Sequence, residues 1–249
     1  MNNCLTLIPI YKSDLSAEED FSVRHSLANL TGREVSWLAP HDLDLQPYAD
    51  RYGISKALVL DKSFFRSIET YSQLLLSDQL YEHLSEYEFL LIVQADAIVL
   101  HNGLDRWLES HYDYIGAPWP SGWEFKTNEF KPQEFPDGIS LRAFVGNGGL
   151  SLRRISAIRQ LFAEFDEFRV NWATKGFPED LFISFAGSLS TSFRLPNLRV
   201  ASEFAQELEP QWLARLNGHV TPFGVHAWQL QDRDYWESQP FWPKPTPQP

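Results

Sequence analysis

Apolar residues fall along this chain in two rhythms. Short unbroken runs, Leu5–Ile8, Ala57–Leu60, Phe89–Val93 and Phe144–Val145, predict strands apolar on both faces. Such strands belong in a sheet covered on both sides, usually a mostly parallel one. Between them the period lengthens. Ile68, Tyr71, Leu75, Leu76, Leu80 and Leu84 recur every three to four residues, as do Leu104, Trp107, Leu108 and His111, and Ile155, Ile158, Phe162 and Phe165. These spacings predict helices. Strands alternating with helices predict an α/β, doubly wound, mixed but mostly parallel sheet with helices on both faces. No period survives from Pro118 to Ser140, which predicts a long loop of the kind that often covers a site. Residues 1–239 read as one domain, and Pro240–Pro249, with five prolines in ten positions, as an extended tail.

Composition narrows the class. At 249 residues the chain can bury a large core without staples, and one cysteine, Cys4, excludes a disulfide framework and a Cys-rich zinc site. The 33 acidic and 21 basic side chains give a formal charge of −12, which argues against nucleic acid as a partner. Eighteen Phe, nine Tyr and nine Trp exclude disorder. The start, Met1–Lys12, lacks the basic region of a signal peptide, and the run Phe89–Val93 is far short of the ~18 residues of a membrane span. The expectation is a cytoplasmic protein, working at the inner membrane face if its acceptor is lipid-linked.

Four segments carry chemistry. Gln94-Ala95-Asp96 follows a buried strand, where ligands bind in open α/β sheets, although an Asp there also starts turns. Gly146-Asn147-Gly148-Gly149 lets backbone approach a ligand, or makes a tight strand-to-helix turn. It is neither the dinucleotide fingerprint nor a P-loop. Pro178-Glu179-Asp180 opens a helix, where acids are favourable against the dipole without any function; the alternative is a general base. His226, between Val225 and Ala227, is a packed histidine or a ligand for a transition metal such as manganese. A basic cluster for an anionic ligand has Lys12, Lys62, Arg66, Arg153 and Arg154 as candidates.

Taken in order, the segments resemble the GT-A glycosyltransferases, and more closely a largely uncharacterised bacterial group of them. The matching stretches are Tyr87–Asp96, Tyr112–Trp119, Val145–Arg153, Pro178–Asp180 and Pro222–Trp228. The resemblance implies a nucleotide-sugar donor, with UDP the expected nucleotide, and a glycan or lipid-linked glycan acceptor. It implies Asp180 as the base of an inverting transfer and Glu179 on a sugar hydroxyl. Asp96 and His226 would hold a divalent metal, manganese or else magnesium. The family's Asp-x-Asp element is here Gln94-Ala95-Asp96, with one carboxylate missing and Gln94 left to contact the nucleotide. Gly146, Asn147, Gly148, Gly149, Trp119 and Arg153 are expected around donor and acceptor. A retaining transferase, a glycoside hydrolase using Glu179 and Asp180, and a non-catalytic sugar-binding protein that stacks Trp119, Trp123 and Trp228 on its ligand are the competing readings.

Overall fold

The computed structural model describes residues 3–126 and 140–244. Its first half runs β1 (Cys4–Pro9), α1 (Ala17–Asn29), β2 (Glu34–Pro40), α2 (Gln46–Tyr52) and β3 (Ala57–Leu60). A 3-10 turn at Lys62–Phe65 leads into α3 (Ile68–Leu75), α4 (Asp78–His83), β4 (Phe89–Val93), β5 (Ile98–Val99) and α5 (Leu104–Leu108). Then come β6 (Tyr114–Lys126), β7 (Ser140–Arg154), α6 (Ile155–Glu164), α7 (Asp166–Thr174) and α8 (Glu179–Leu189). The chain closes with α9 (Leu198–Phe204), β8 (Ala205–Gln206), α10 (Pro210–Leu216), β9 (Gly224–Val225) and α11 (Arg233–Ser238).

The main sheet has the order β3-β2-β1-β4-β7-β6. β1 to β4 are parallel, and β7 and β6 close the edge antiparallel. This is the expected α/β sheet. Both faces are covered. Leu90 and Ile92 join a core with Leu74, Leu80, Phe162 and Phe182, while Phe89, Leu91 and Val93 join one with Val23, Trp37, Trp107 and Phe204. Each such buried side chain contributes roughly 1.5–3 kcal/mol, so β4 has no solvent face to offer. A second sheet, β5-β9-β8, lies beyond β4.

Local signals set the element ends. The periodic run from Ile68 to Leu84 is two helices because Ser77 accepts a hydrogen bond from Leu80 N and starts α4 afresh. At the end of α6, Phe165 leaves helical geometry and α7 begins one residue later. The loop expected from Pro118 to Ser140 is corrected in part. Residues up to Lys126 continue β6, and Trp123 to Lys126 pair with Ala143 to Ser140 across irregular register shifts; the remainder, 127–139, lies outside the described residues. Prolines and glycines hide a strand whose pairing is broken by bulges.

The C-terminal segment is more ordered than its composition suggests. Trp242 is buried against Trp228 and Trp236, with Phe241 beside them, so an extended tail does not begin at Pro240; residues 245–249 are outside the described set. Among the described residues no helix is long and apolar enough to cross a membrane. Cys4 is buried, and burial pushes its thiol up to about 12.

Candidate active site

The site lies at the carboxyl ends of the parallel strands, and the register accounts for its assembly. β4 ends at Val93, and Gln94 N then donates to Gly149 O at 2.8 Å. On the β6 side, Gly116 pairs with Ser151 but Ala117 pairs with Asn147, so β7 bulges at residues 148–150. The Gly-Asn-Gly-Gly segment is therefore a bulge inside a strand. It is not the strand-to-helix turn that three glycines suggest, and α6 starts too far on to lend its N–H groups. Gly146 has φ 141°, which an L side chain rarely adopts, and a Cβ there would meet the Ser184 hydroxyl. Asn147 closes the bulge by accepting from Gly149 N at 3.0 Å.

The small sheet brings the other half. Ile98 on β5 and Gln206 on β8 flank Val225 on β9. Asp96 just before β5, His226 just after β9 and Glu207 just after β8 consequently meet at one end. His226 Nε2 lies 3.1 Å from Gln94 Oε1 and 3.4 Å from Asp96 Oδ1, and Nδ1 lies 3.3 Å from Glu207 Oε2. Burial alone would lower the imidazole, but the Asp96 and Glu207 carboxylates raise it to about 10. Burial likewise opposes ionisation of Asp96, yet its contact with His226 holds its carboxyl below the usual range.

Gly149 joins the halves. A Cβ on it would lie 2.1 Å from His226 Nε2, so only glycine lets the ring sit against β7. Gly149→Ala is expected to displace the ring and destabilise the fold by ~1–3 kcal/mol, read as a lowered Tm with weakened manganese uptake; an unchanged Tm and uptake would mean the ring is not held there.

One residue earlier, Gly148 N donates to Asp180 Oδ2 at 3.0 Å, while Asp180 Oδ1 accepts from Leu181 N at 2.7 Å. Burial, and then the adjacent Glu179 carboxylate, push Asp180 up to about 7 against these N–H donors. Asp180 is only part-buried, so it remains accessible to a hydroxyl.

Glu179 faces the same bulge, where a Cβ on Gly148 would lie 2.5 Å from its Oε1, but its carboxylate is already engaged. It is buried, with Oε1 2.9 Å from Arg153 Nη2 and Oε2 accepting from the Ser72 hydroxyl at 3.2 Å. Arg153 is fully buried and also reaches the Tyr81 hydroxyl at 3.2 Å and the Ser151 hydroxyl at 3.2 Å. These two expected ligand contacts thus form a buried ion pair beneath the site. Breaking such a pair leaves one charge uncompensated. Arg153→Leu is expected to cost ~3–5 kcal/mol in urea unfolding, and Arg153→Leu with Glu179→Leu much less; equal losses would contradict a coupled pair.

Other candidates fall elsewhere. Trp119 is buried in the larger core and Trp228 donates to the Ser22 hydroxyl at 2.8 Å, whereas Trp123 is half exposed. Arg154 pairs across from Phe89 at the opposite end of β4 and contacts Glu88 and Asp113. Lys62 pairs with Asp42 and Arg66 is exposed; Lys12, paired with Glu19, is the exception, close enough for its charge to help lower the Asp96 carboxyl. One residue of this junction escaped the sequence reading: Glu207, against the His226 ring.

Among the described residues no group of three His, Cys, Asp or Glu side chains is arranged to hold a metal. Asp96 and His226 do fit as a two-point set. Ligand atoms at about 2.0–2.2 Å from one ion can be separated by the 3.4 Å seen between Oδ1 and Nε2. The remaining positions would need oxygens from a bound ligand.

Mouse xyloside xylosyltransferase 1 in its apo form matches with a TM-score of 0.56 and 14% identity, over 98% of this chain and 100% of that one. The galactosyltransferase LgtC, solved with donor and acceptor sugar analogues, matches with a TM-score of 0.54 and 11% identity, over 89% of this chain and 86% of that one. At these identities the likeness is one of fold, and the fold is the GT-A glycosyltransferase fold that the sequence resemblance implied. No curated protein matches the sequence. A family model described as "Protein of unknown function (DUF5672)" matches residues 55–226, more than half of the chain. The chain belongs to the DUF5672 family.

Proposed function

We propose that the protein is a glycosyltransferase that moves a sugar from a nucleotide donor, UDP-linked, to a hydroxyl of a glycan or glycoconjugate, with inversion. The observation that carries this reading is a continuous junction: Asp180 bonds Gly148, and Gly149 abuts the His226–Asp96 pair. A base and an anion-handling pair thereby flank one bulge of β7. Its fold likeness to two glycosyltransferases supports the same class.

Asp180 takes the proton of the acceptor hydroxyl as that oxygen attacks the sugar's anomeric carbon, and the bond to the diphosphate breaks. A carboxyl held near neutrality suits this work, being half ionised at pH 7 and still basic enough to accept. Gly148 N–H fixes the carboxylate's direction. Asp96 and His226 would hold a divalent ion, manganese being favoured by the imidazole. Such an ion supplies Lewis-acid neutralisation of the departing diphosphate. With a formal charge of −12, the protein needs some local cation to admit an anionic donor.

The engagement of Glu179 with Arg153 and Ser72 leaves Asp180 as the one carboxylate at the helix start open to a ligand, whereas two-carboxylate glycoside hydrolysis needs both. Thermal-shift titration tests the class. Nucleoside diphosphates with manganese are expected to raise Tm; stabilisation by free oligosaccharides alone would favour hydrolysis or simple sugar binding. NMR of the product anomer against the donor tests inversion, and a retained configuration would remove the direct-displacement role of Asp180.

A further inference from the structure

Glu207 has no place in the reading above, yet it is held where chance placement is hard to defend. Its side chain and that of His226 are each only 12% exposed. Glu207 Oε2 and His226 Nδ1 face each other at 3.3 Å, and among the described residues neither atom has a well-aligned hydrogen-bond partner. A buried carboxylate oxygen and a buried ring nitrogen left without partners are costly, and a small rotation of either side chain would pair them. Backbone register makes the meeting unavoidable. Gln206 pairs with Val225 in parallel, and His226 N donates to Gln206 O at 3.0 Å, so the residues that follow on β8 and β9 lie side by side.

We propose that Glu207 is a positioning residue: it accepts from His226 Nδ1–H and so keeps Nε2 aimed at Asp96 and Gln94. This rests on the metal-site reading of Asp96 and His226. An imidazole has two nitrogens, and a ligating one must present its lone pair. A carboxylate on the far nitrogen fixes both ring orientation and tautomer, and losing such a partner typically costs 10–100-fold in metal affinity. Gly149 limits the ring from one side by contact, and Glu207 limits it from another by hydrogen bonding.

The test is an EPR titration of manganese into the protein without donor, for wild type, Glu207→Ala, Glu207→Gln, His226→Ala and the Glu207→Ala/His226→Ala double variant. Glu207→Ala is expected to bind manganese about 10–100-fold more weakly. Glu207→Gln, whose amide oxygen still accepts from Nδ1–H, retains most of the affinity. The double variant loses no more than His226→Ala, because Glu207 acts only through the ring. Calcium, which takes oxygen ligands, is expected to be weakened less than manganese by Glu207→Ala. Should that variant not fold, Glu207→Asp replaces it, with an intermediate loss.

Wild-type affinity in Glu207→Ala, or in Glu207→Asp where it stands in, overturns the proposal and leaves the metal site standing. So does a double variant whose losses add. A wild-type protein that takes up no manganese, with or without UDP, overturns the metal site and this proposal with it.

Discussion

Asp180→Asn is expected to fold as the wild type does and to lose about 10²–10⁴-fold in turnover, the usual contribution of a positioned general base. The replacement keeps one acceptor oxygen, which can serve Gly148 N–H and preserve the junction between α8 and β7, and gives up the bond from Leu181 N–H at a cost of about 1–3 kcal/mol. What it removes is the ability to take a proton. The pH profile separates this from mere repositioning. In the wild type with manganese saturating at every pH, kcat/KM is expected to rise with pH and level off above about 7, where the carboxyl has ionised. In Asp180→Asn that rising limb disappears. Stability carries the same signature with the opposite slope. The Asp180 carboxyl is raised from an ordinary 3.8 to about 7 in the folded protein. Between those values the folded state binds the proton more tightly than the unfolded chain, so stability falls as pH increases. Asp180→Asn flattens this fall, which urea unfolding at pH 5 and pH 8 measures. Near-wild-type turnover in the variant would remove the base assignment.

The second large effect is on donor binding. Asp96→Ala and His226→Ala each delete half of a two-point set and are expected to abolish the manganese-dependent part of UDP binding in calorimetry. His226 is held up to about 10 by the two carboxylates, so in the free protein near pH 7 it is a cation wedged between them. A metal ion must displace that proton, and its apparent affinity is expected to increase from pH 6 to pH 9 with measurable proton release. The sign also bears on the metal-free protein. A histidine raised from 6.5 to about 10 stabilises the fold below 6.5, and this contribution is lost as pH rises through 10. UDP binding that is equal with manganese and with chelator would mean a metal-independent site.

How much of this could be read beforehand depends on where each signal resides. β4 was legible because five consecutive apolar residues serve two buried faces at once. β2 was not, because Ser36 interrupts its apolar run and Pro40 ends it, although the strand is buried from Ser36 onward. The two-residue strands β5, β8 and β9 carry no local pattern, and yet they gather Asp96, His226 and Glu207. Asp96 and His226 were reachable through chain order against a known pattern. Glu207 was not, since only the β8–β9 register brings it to His226. Glu179 and Arg153 show the same limit from the other side. Each was a reasonable ligand contact by residue type, and their burial against one another follows from α8 packing on β7, 26 positions apart in sequence.

Among these tests, X-ray diffraction at the manganese edge from crystals soaked with manganese and a UDP-sugar addresses the central arrangement most directly. The expected result is an anomalous peak within ligand distance of both Asp96 and His226, with the diphosphate beside it and the sugar lying along Gly148 toward Asp180. A nucleotide seated on another face, or a metal bound away from this pair, would contradict it.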